Sequence, residues 1–510
     1  MAWACLFELG WTLRCHATVL VAAAAFQLSA GSQNGVARAE GVLLLVRDQD
    51  TPHDISLLRG LIAEVTRAGW PQDSVVSMSS MERKFGHRGL WSYKPWIFQL
   101  HKQLQRARRR VLGGQRWFVF VEPTTAVDAQ RLAALLEAYD SREALYIGRA
   151  LRDETSSILH SYSQEPAYPL VHAGFALSGA LLGRLARDLQ ARPLGGQPHH
   201  PQQIEPVFEL AQWIAGLGVR LTDESGALCA ARSPGCATWA TQRRSHRGSW
   251  GLGAQDVVIG VKTVGKFHGT RIQHVHDFWA ASSRAEVLYL SNEAFTGVPG
   301  ATVIDLSPEF GSLVDPAKES TKQGSGHCSK MQAILMYFAQ HRPGKRWYVV
   351  TDDDTLLNMP RLLEVLDSYD DSKAIYLGER YGWAHREELE GTNYITTGGG
   401  MALTGPALAK VMACQECTCH MQSSPDDMTL GSWFRSLRVH AIHEEGFHQA
   451  EPHNYHKEIL RYADPPVSFH RFAVRLPAQA SAMEKAAERR RNWQEWVRDY
   501  FNPARWSEEL

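Results

Sequence analysis

Residues 117–149 align without a gap on residues 347–379, at an offset of 230, and 11 of the 33 positions are identical. This repeat constrains the fold more than any other feature, because a chain that carries one scaffold twice builds two related domains. Trp117-Phe118-Val119-Phe120-Val121 lies over Trp347-Tyr348-Val349-Val350-Thr351, and Tyr146-Ile147-Gly148 lies over Tyr376-Leu377-Gly378. A second block, at offset 226, sets residues 174–179 over 400–405. A third, at offset 220, matches Trp213, Val219, Glu224 and Gly226 to Trp433, Val439, Glu444 and Gly446.

The apolar scaffold is kept while the polar positions diverge. Asp352-Asp353-Asp354 is replaced in the first copy by Glu122-Pro123-Thr124, and Asp426-Asp427 by Pro206-Val207. His448 is replaced by Leu228, and Gly398-Gly399 by His172-Ala173. Carboxylates and imidazoles set into a scaffold destabilise it unless they are paired or do chemistry. Residues 256–477 are therefore read as an active domain, 40–228 as a degenerate copy of it, and 229–255 as a linker.

Short apolar runs at 42–46, 257–261 and 347–351 read as buried strands, and helical spacing follows at Leu362, Leu363 and Leu366. Strands alternating with helices imply an α/β fold with a mainly parallel sheet in each copy. The charged, amphipathic stretch 483–501 reads as a packing helix. The loop 193–201 carries no evident function.

Charge and cysteines narrow the class. The formal net charge is zero, which argues against a nucleic-acid binder, and the basic run 106–110 reads as a solvated helix face. Residues 17–28 are apolar but short of the ~20 residues of a membrane span. They end near Leu28-Ser29-Ala30, so a signal peptide over 1–30 is expected, with a type II anchor as the alternative. Ser507-Glu508-Glu509-Leu510 resembles a KDEL-type retrieval signal. Together these ends point to the endoplasmic reticulum lumen with no stable membrane span. Outside the signal six cysteines remain, enough for three disulfides in an oxidising lumen, Cys229–Cys236 among the candidates. Cys414-x-x-Cys417-x-Cys419-His420 could instead mimic a zinc cluster, but no partner cluster exists.

The triple acid ends a buried strand, which places it at the C-terminal edge of a sheet, where open α/β folds bind ligands. Hard oxygen ligands suit Mn²⁺ or Mg²⁺, ions that bridge carboxylates to substrate phosphates. Further motifs follow in order: Val261-Lys262-Thr263, Lys266 to Arg271, Gly326-His327-Cys328-Ser329-Lys330, Leu377-Gly378-Glu379-Arg380, Gly398-Gly399-Gly400, Pro425-Asp426-Asp427-Met428 and Phe447-His448-Gln449-Ala450. As a set they resemble the fringe-like β-1,3-glycosyltransferases, over most of residues 256–470. Within that family they are most similar to the branch that glucosylates O-linked fucose on thrombospondin type 1 repeats. Phe278, Ser329 and Trp383 depart from the residues usual there, which bears on fine specificity.

The resemblance implies two tandem GT-A-like (Rossmann-like) domains and a metal-dependent, inverting transfer of glucose from UDP-glucose. The acceptor would be the 3-hydroxyl of O-fucose on thrombospondin type 1 repeat proteins. Asp354 and His448 would ligate Mn²⁺, with Asp352. Lys262, Thr263, Arg271, Asp352, Asp353, Glu379, Gly399 and Gly400 would bind the donor. Asp427 would be the catalytic base, with Asp426 beside it or in its place, since one carboxylate suffices for a single displacement. Two other readings remain: a fringe-type transferase using another UDP-sugar, and a non-catalytic lectin or folding factor for fucosylated repeats. The first domain would hold the acceptor protein.

Overall fold

The computed structural model describes residues 41–80, 93–107, 116–191, 202–241, 249–314, 327–383, 392–421, 424–471 and 480–502. The signal peptide, the retrieval tail, Gly326 and the loop 193–201 lie outside these residues, as does all of the basic run beyond Arg106 and Ala107.

The first unit is built on strands β1 (Val42–Val46), β2 (Val75–Ser77), β3 (Trp117–Val121), β4 (Thr125–Val127), β5 (Tyr146–Gly148), β6 (Phe175–Ser178), β7 (Leu221–Asp223) and β8 (Thr238–Ala240). The second uses β9 (Val257–Lys262), β10 (Glu286–Ser291), β11 (Thr302–Asp305), β12 (Trp347–Asp352), β13 (Thr355–Leu357), β14 (Tyr376–Gly378), β15 (Met401–Thr404), β16 (Ala441–His443) and β17 (Ser468–His470). The first sheet runs β7-β5-β6-β3-β1-β2 and the second β16-β14-β15-β12-β9-β10-β11. The orders are the same, with one strand added at the end of the second. In each sheet one strand, β6 or β15, runs antiparallel to its neighbours and the remaining pairs are parallel.

Register and hydrogen bonding repeat as well. Trp117 pairs with Ser178 as Trp347 pairs with Thr404. The Tyr139 hydroxyl donates to Glu224 as that of Tyr369 donates to Glu444. Thr125 Oγ1 donates to the His172 carbonyl as Thr355 Oγ1 donates to that of Gly398.

Both faces of each sheet are buried, as the unbroken apolar strands require. Along β1, Val42, Leu44 and Val46 face one core, and Leu43 and Leu45 the other. In the second unit Val258 and Tyr348 face one core, and Val257, Ile259 and Trp347 the other. The C-terminal helix Ala482–Tyr500 starts with a capping box of Ser481 and Glu484. It buries Trp493 and Trp496 in the second unit's core, and Phe278 packs edge-on against Trp493 at 5.2 Å.

The segment read as a linker belongs largely to the two units. β8 pairs antiparallel with β4, which extends the first unit to Ala240. The backbone amides of Trp250 and Leu252 donate to the Asp367 carboxylate of the second unit. Among the described residues, no helix is long and apolar enough to cross a membrane.

Disulfides join Cys229–Cys236, Cys328–Cys419 and Cys414–Cys417, so the Cys414–Cys419 cluster holds disulfides in place of zinc. Cys328–Cys419 closes a loop of sequence separation 91, against 7 for Cys229–Cys236. The entropy a cross-link removes from the unfolded chain grows with loop length, so Cys328→Ser/Cys419→Ser should destabilise by about 2–4 kcal/mol. Urea unfolding should show a larger loss than Cys229→Ser/Cys236→Ser; the reverse order would refute the assignment of the long bridge.

Candidate active site

Parallel strands bring their C-terminal ends to one edge. The β9–β12 register pairs Lys262 with Asp352 at that edge. Lys262 Nζ lies 3.0 Å from Asp352 Oδ1 and 2.5 Å from Asp426 Oδ2. Asp426 begins the helix Asp426–Ser436, where the helix dipole favours a negative charge. One buried ammonium thus ties the acidic strand end to the Asp426-Asp427 pair.

The other two acids are held by a second cation. Arg271 Nη1 donates to Asp353 Oδ1 at 2.6 Å and lies 3.0 Å from Asp354 Oδ2, with its guanidinium 3.7 Å above the Phe267 ring. Thr263 Oγ1 donates to Asp353 Oδ2 at 2.6 Å. Asp353 is therefore enclosed by Thr263 and Arg271, while Asp352 and Asp354 face a histidine.

That histidine is His470, which the sequence reading missed. β17 pairs antiparallel with β13, setting His470 opposite Thr355. His470 Nε2 lies 3.1 Å from Asp354 Oδ1 and 3.7 Å from Asp352 Oδ2. Asp352, Asp354 and His470 form a group whose ligand atoms lie within 4.8 Å of one another. Two carboxylates and an imidazole suit Mn²⁺, so the donor set fits the ion. His470 Nδ1 donates to the Gln449 carbonyl at 2.9 Å, which leaves Nε2 free of its proton for a metal.

His448 stands elsewhere. Its Nδ1 meets the carbonyls of Gly446 at 2.9 Å and Ser468 at 3.1 Å. Its ring lies between Phe469 and Tyr455, and it is not in the acid–imidazole group. Burial lowers its pKa to about 4, so it is neutral and fastens β17 to the loop before it.

The glycines and Glu379 pack around the imidazole and Gln449. A Cβ on Gly398 would lie 2.5 Å from the His470 ring, so this glycine makes room for the imidazole. The Gly399 amide donates to Gln449 Oε1 at 2.7 Å, and Gly400 has φ +93, a backbone that favours glycine. The Glu379 carboxylate accepts from the Tyr455 hydroxyl at 2.9 Å and from the Gln449 amide. Burial raises its pKa to about 8. Gly399 and Glu379 thus hold Gln449, which holds His470.

Electrostatics separate the acids. Burial opposes charge on Asp354, yet His470 and Arg271 hold its pKa down to about 2. Asp426 is likewise kept ionised against burial by Lys262. At Asp427 burial, together with the charge of Asp426, outweighs the pull of Lys262 and pushes it up to about 7. A carboxylate poised near neutrality suits a general base.

The matching edge of the first sheet carries less. Arg47 and Glu122 form a buried pair at 2.7 Å, where Lys262 and Asp352 stand in the second. β8 pairs with β4 so that Ala240 lies opposite Thr125, as His470 lies opposite Thr355. Comparing Trp239-Ala240 with Phe469-His470, at the offset of 230, would have exposed the missed imidazole.

The carboxylate–imidazole group and the Asp426-Asp427 pair thus stand at one sheet edge of the second unit. A family model described as Fringe-like matches residues 94–199 and 252–498. The chain belongs to the Fringe-like family. It is 34% identical over 361 residues to a mouse beta-1,3-glucosyltransferase, covering 70% of this chain and 69% of that one. With the human beta-1,3-glucosyltransferase it shares 32% identity over 366 residues, 70% and 68% of the two chains. A fringe glycosyltransferase of Drosophila melanogaster is 32% identical over 129 residues, 24% of this chain and 28% of its own.

Asp354→Ala and His470→Ala should each weaken Mn²⁺ binding at least about tenfold, while His448→Phe should change it by less than about threefold. Electron paramagnetic resonance of free Mn²⁺ reads this directly, and the opposite ranking of the two histidines would overturn the assignment. Burial opposes a charge on His470, but Asp354 raises its proton affinity overall. Since a ligating imidazole must be neutral, Mn²⁺ affinity should fall as pH drops below neutrality.

Proposed function

We propose that the second unit transfers glucose from UDP-glucose, with inversion, to the 3-hydroxyl of O-linked fucose on thrombospondin type 1 repeats. The observation that carries the reading is the Lys262 bridge, which sets the Asp352–Asp354 acids and the Asp426-Asp427 pair against one edge. The relatives named beta-1,3-glucosyltransferase support glucose as the sugar, and the motif resemblance supports UDP and the fucose acceptor. The three disulfides agree with an oxidising compartment.

Asp352, Asp354 and His470 would hold Mn²⁺, which when bound stabilises the negative charge of a departing pyrophosphate. Arg271 and Lys262 fix the neighbouring carboxylates in place. Asp427 takes the proton of the attacking hydroxyl on a carboxylate oxygen. The bond from the glucose anomeric carbon to UDP breaks as the bond to the fucose oxygen forms on the opposite face. One displacement gives one inversion and the β linkage. Asp426, committed to Lys262, is the poorer base and orients its neighbour. The first unit has no imidazole at Ala240 and no acid at Pro206, which supports a non-catalytic role for it.

With UDP-glucose and an O-fucosylated repeat at saturating Mn²⁺, transfer should appear and be abolished by EDTA. No transfer from any UDP-sugar, with repeat binding intact, would favour a lectin; transfer from another UDP-sugar alone would change the donor. The rate should rise with pH up to about 7 and then level, because the active form of Asp427 is ionised. Asp427→Asn should lower kcat by a factor of about 10²–10⁴ and remove the acid limb. A greater loss in Asp426→Asn would reverse the two roles.

A further inference from the structure

The first unit meets the second where Gln202 and Gln203 pair with Trp383 and Gly382, and along residues 443–458, which it holds by side-chain hydrogen bonds and ion pairs at both ends. At one end the side-chain amide of Gln49 grips the backbone of His443: Nε2 donates to the carbonyl at 2.9 Å, and Oε1 accepts from the amide at 2.7 Å. His443 is the last residue of the edge strand β16, so this amide continues the ladder that the strand would otherwise leave open. His172 Nε2 lies 3.3 Å from Glu445 close by. At the other end Arg149 forms a two-pronged ion pair with Glu458, at 2.8 and 2.9 Å. Between them Ser157 Oγ donates to the Asn454 carbonyl and the Ile158 amide donates to Asn454 Oδ1 at 3.0 Å.

The middle of this stretch carries Gln449. Its carbonyl accepts from His470 Nδ1, its side chain holds the Gly399 amide, and its own amide is held by Glu379. Partners of this kind orient a ligating histidine and fix its tautomer. A continuous set of contacts therefore runs from Gln49 and Arg149, through the stretch they clamp, to the imidazole beside Asp354.

We infer that the first unit is a brace for the metal-ligand histidine of the second, with Gln49 and Arg149 as positioning residues that act through Gln449 on His470. This rests on the reading of Asp352, Asp354 and His470 as a metal site. It gives a reason for retaining the first unit that needs no chemistry at its own sheet edge. Arg149 and Glu458 are each about a quarter exposed, so exchanging their charges is tolerable to the fold.

The test measures Mn²⁺ affinity of the full chain by electron paramagnetic resonance, together with a thermal melt. Gln49→Ala and Arg149→Glu should raise the Mn²⁺ dissociation constant roughly three- to tenfold. Arg149→Glu/Glu458→Arg should return it to within about twofold of wild type. Arg142→Glu, at an exposed pair with Asp140 away from the contact, should leave metal affinity and transfer unchanged. Folded Gln49→Ala and Arg149→Glu proteins with wild-type Mn²⁺ affinity would overturn the brace. If Arg149→Glu does not fold, Gln49→Ala and the charge exchange decide in the same way. Mn²⁺ binding that follows this pattern without any sugar transfer would remove the transferase reading and leave the brace standing. Intact transfer with unmoved Mn²⁺ affinity would remove the brace alone.

Discussion

The Lys262 ammonium, buried between Asp352 and Asp426, is the interaction on which the site depends. Taking an ammonium out of water is unfavourable by several kcal/mol, and only close, well-placed carboxylates offset it. Here two carboxylates do so, and they come from different elements, a strand end and a helix start. The pairing consequently fixes the distance between the Asp352–Asp354 acids and the Asp426-Asp427 pair. It also decides which of two adjacent acids stays ionised, and leaves Asp427 as the one whose proton is exchangeable near neutrality. In the first unit the corresponding cation, Arg47, pairs with Glu122 at the same register. Pro206 opens the helix there where Asp426 does in the second, and the acid at that helix start is its N-cap, Glu205, which also acts on Arg47.

The two sheets correspond closely. Two sheets of one order, with one register and several identical side-chain bonds, show that the scaffold survives replacement of the polar residues at its edge. What differs is a handful of positions at that edge, above all Glu122, Pro123, Thr124, Pro206 and Ala240. The first unit lends part of its surface to contact with the second. The residues used for this, Gln49, Arg149, Ser157 and Ile158, lie close to the strand ends and loops where a ligand would otherwise sit.

The sequence was readable where its signals are local. Apolar runs flanked by repeated motifs located β1, β9 and β12, and the matched blocks foretold two sheets of equivalent order. The charged helix at 482–500 was visible from its spacing. Where the outcome hangs on distant pairing, the sequence was harder to read. His470 reaches Asp354 because β17 pairs with β13, more than a hundred residues earlier, and only the repeat offset of 230 marks that position in the sequence. His448 carries a conspicuous Phe-His dipeptide, yet its Nδ1 is engaged by two backbone carbonyls. Glu379 and Gly399 hold Gln449, and Gly398 makes room for the imidazole, contacts that appear only once the chain is folded. The antiparallel sense of β15 is equally a tertiary matter, since alternation along a strand carries no direction. Cysteine pairing lay open among many connectivities until the helix starting at His327 was seen beside Cys419.

The central claim is that only one of two equivalent sheet edges takes the nucleotide sugar. Isothermal titration of UDP-glucose into the full chain with Mn²⁺ tests it directly. The expected result is one site per chain, lost on adding EDTA and lost in Asp354→Ala. Two sites per chain, or a site that survives Asp354→Ala, would contradict it.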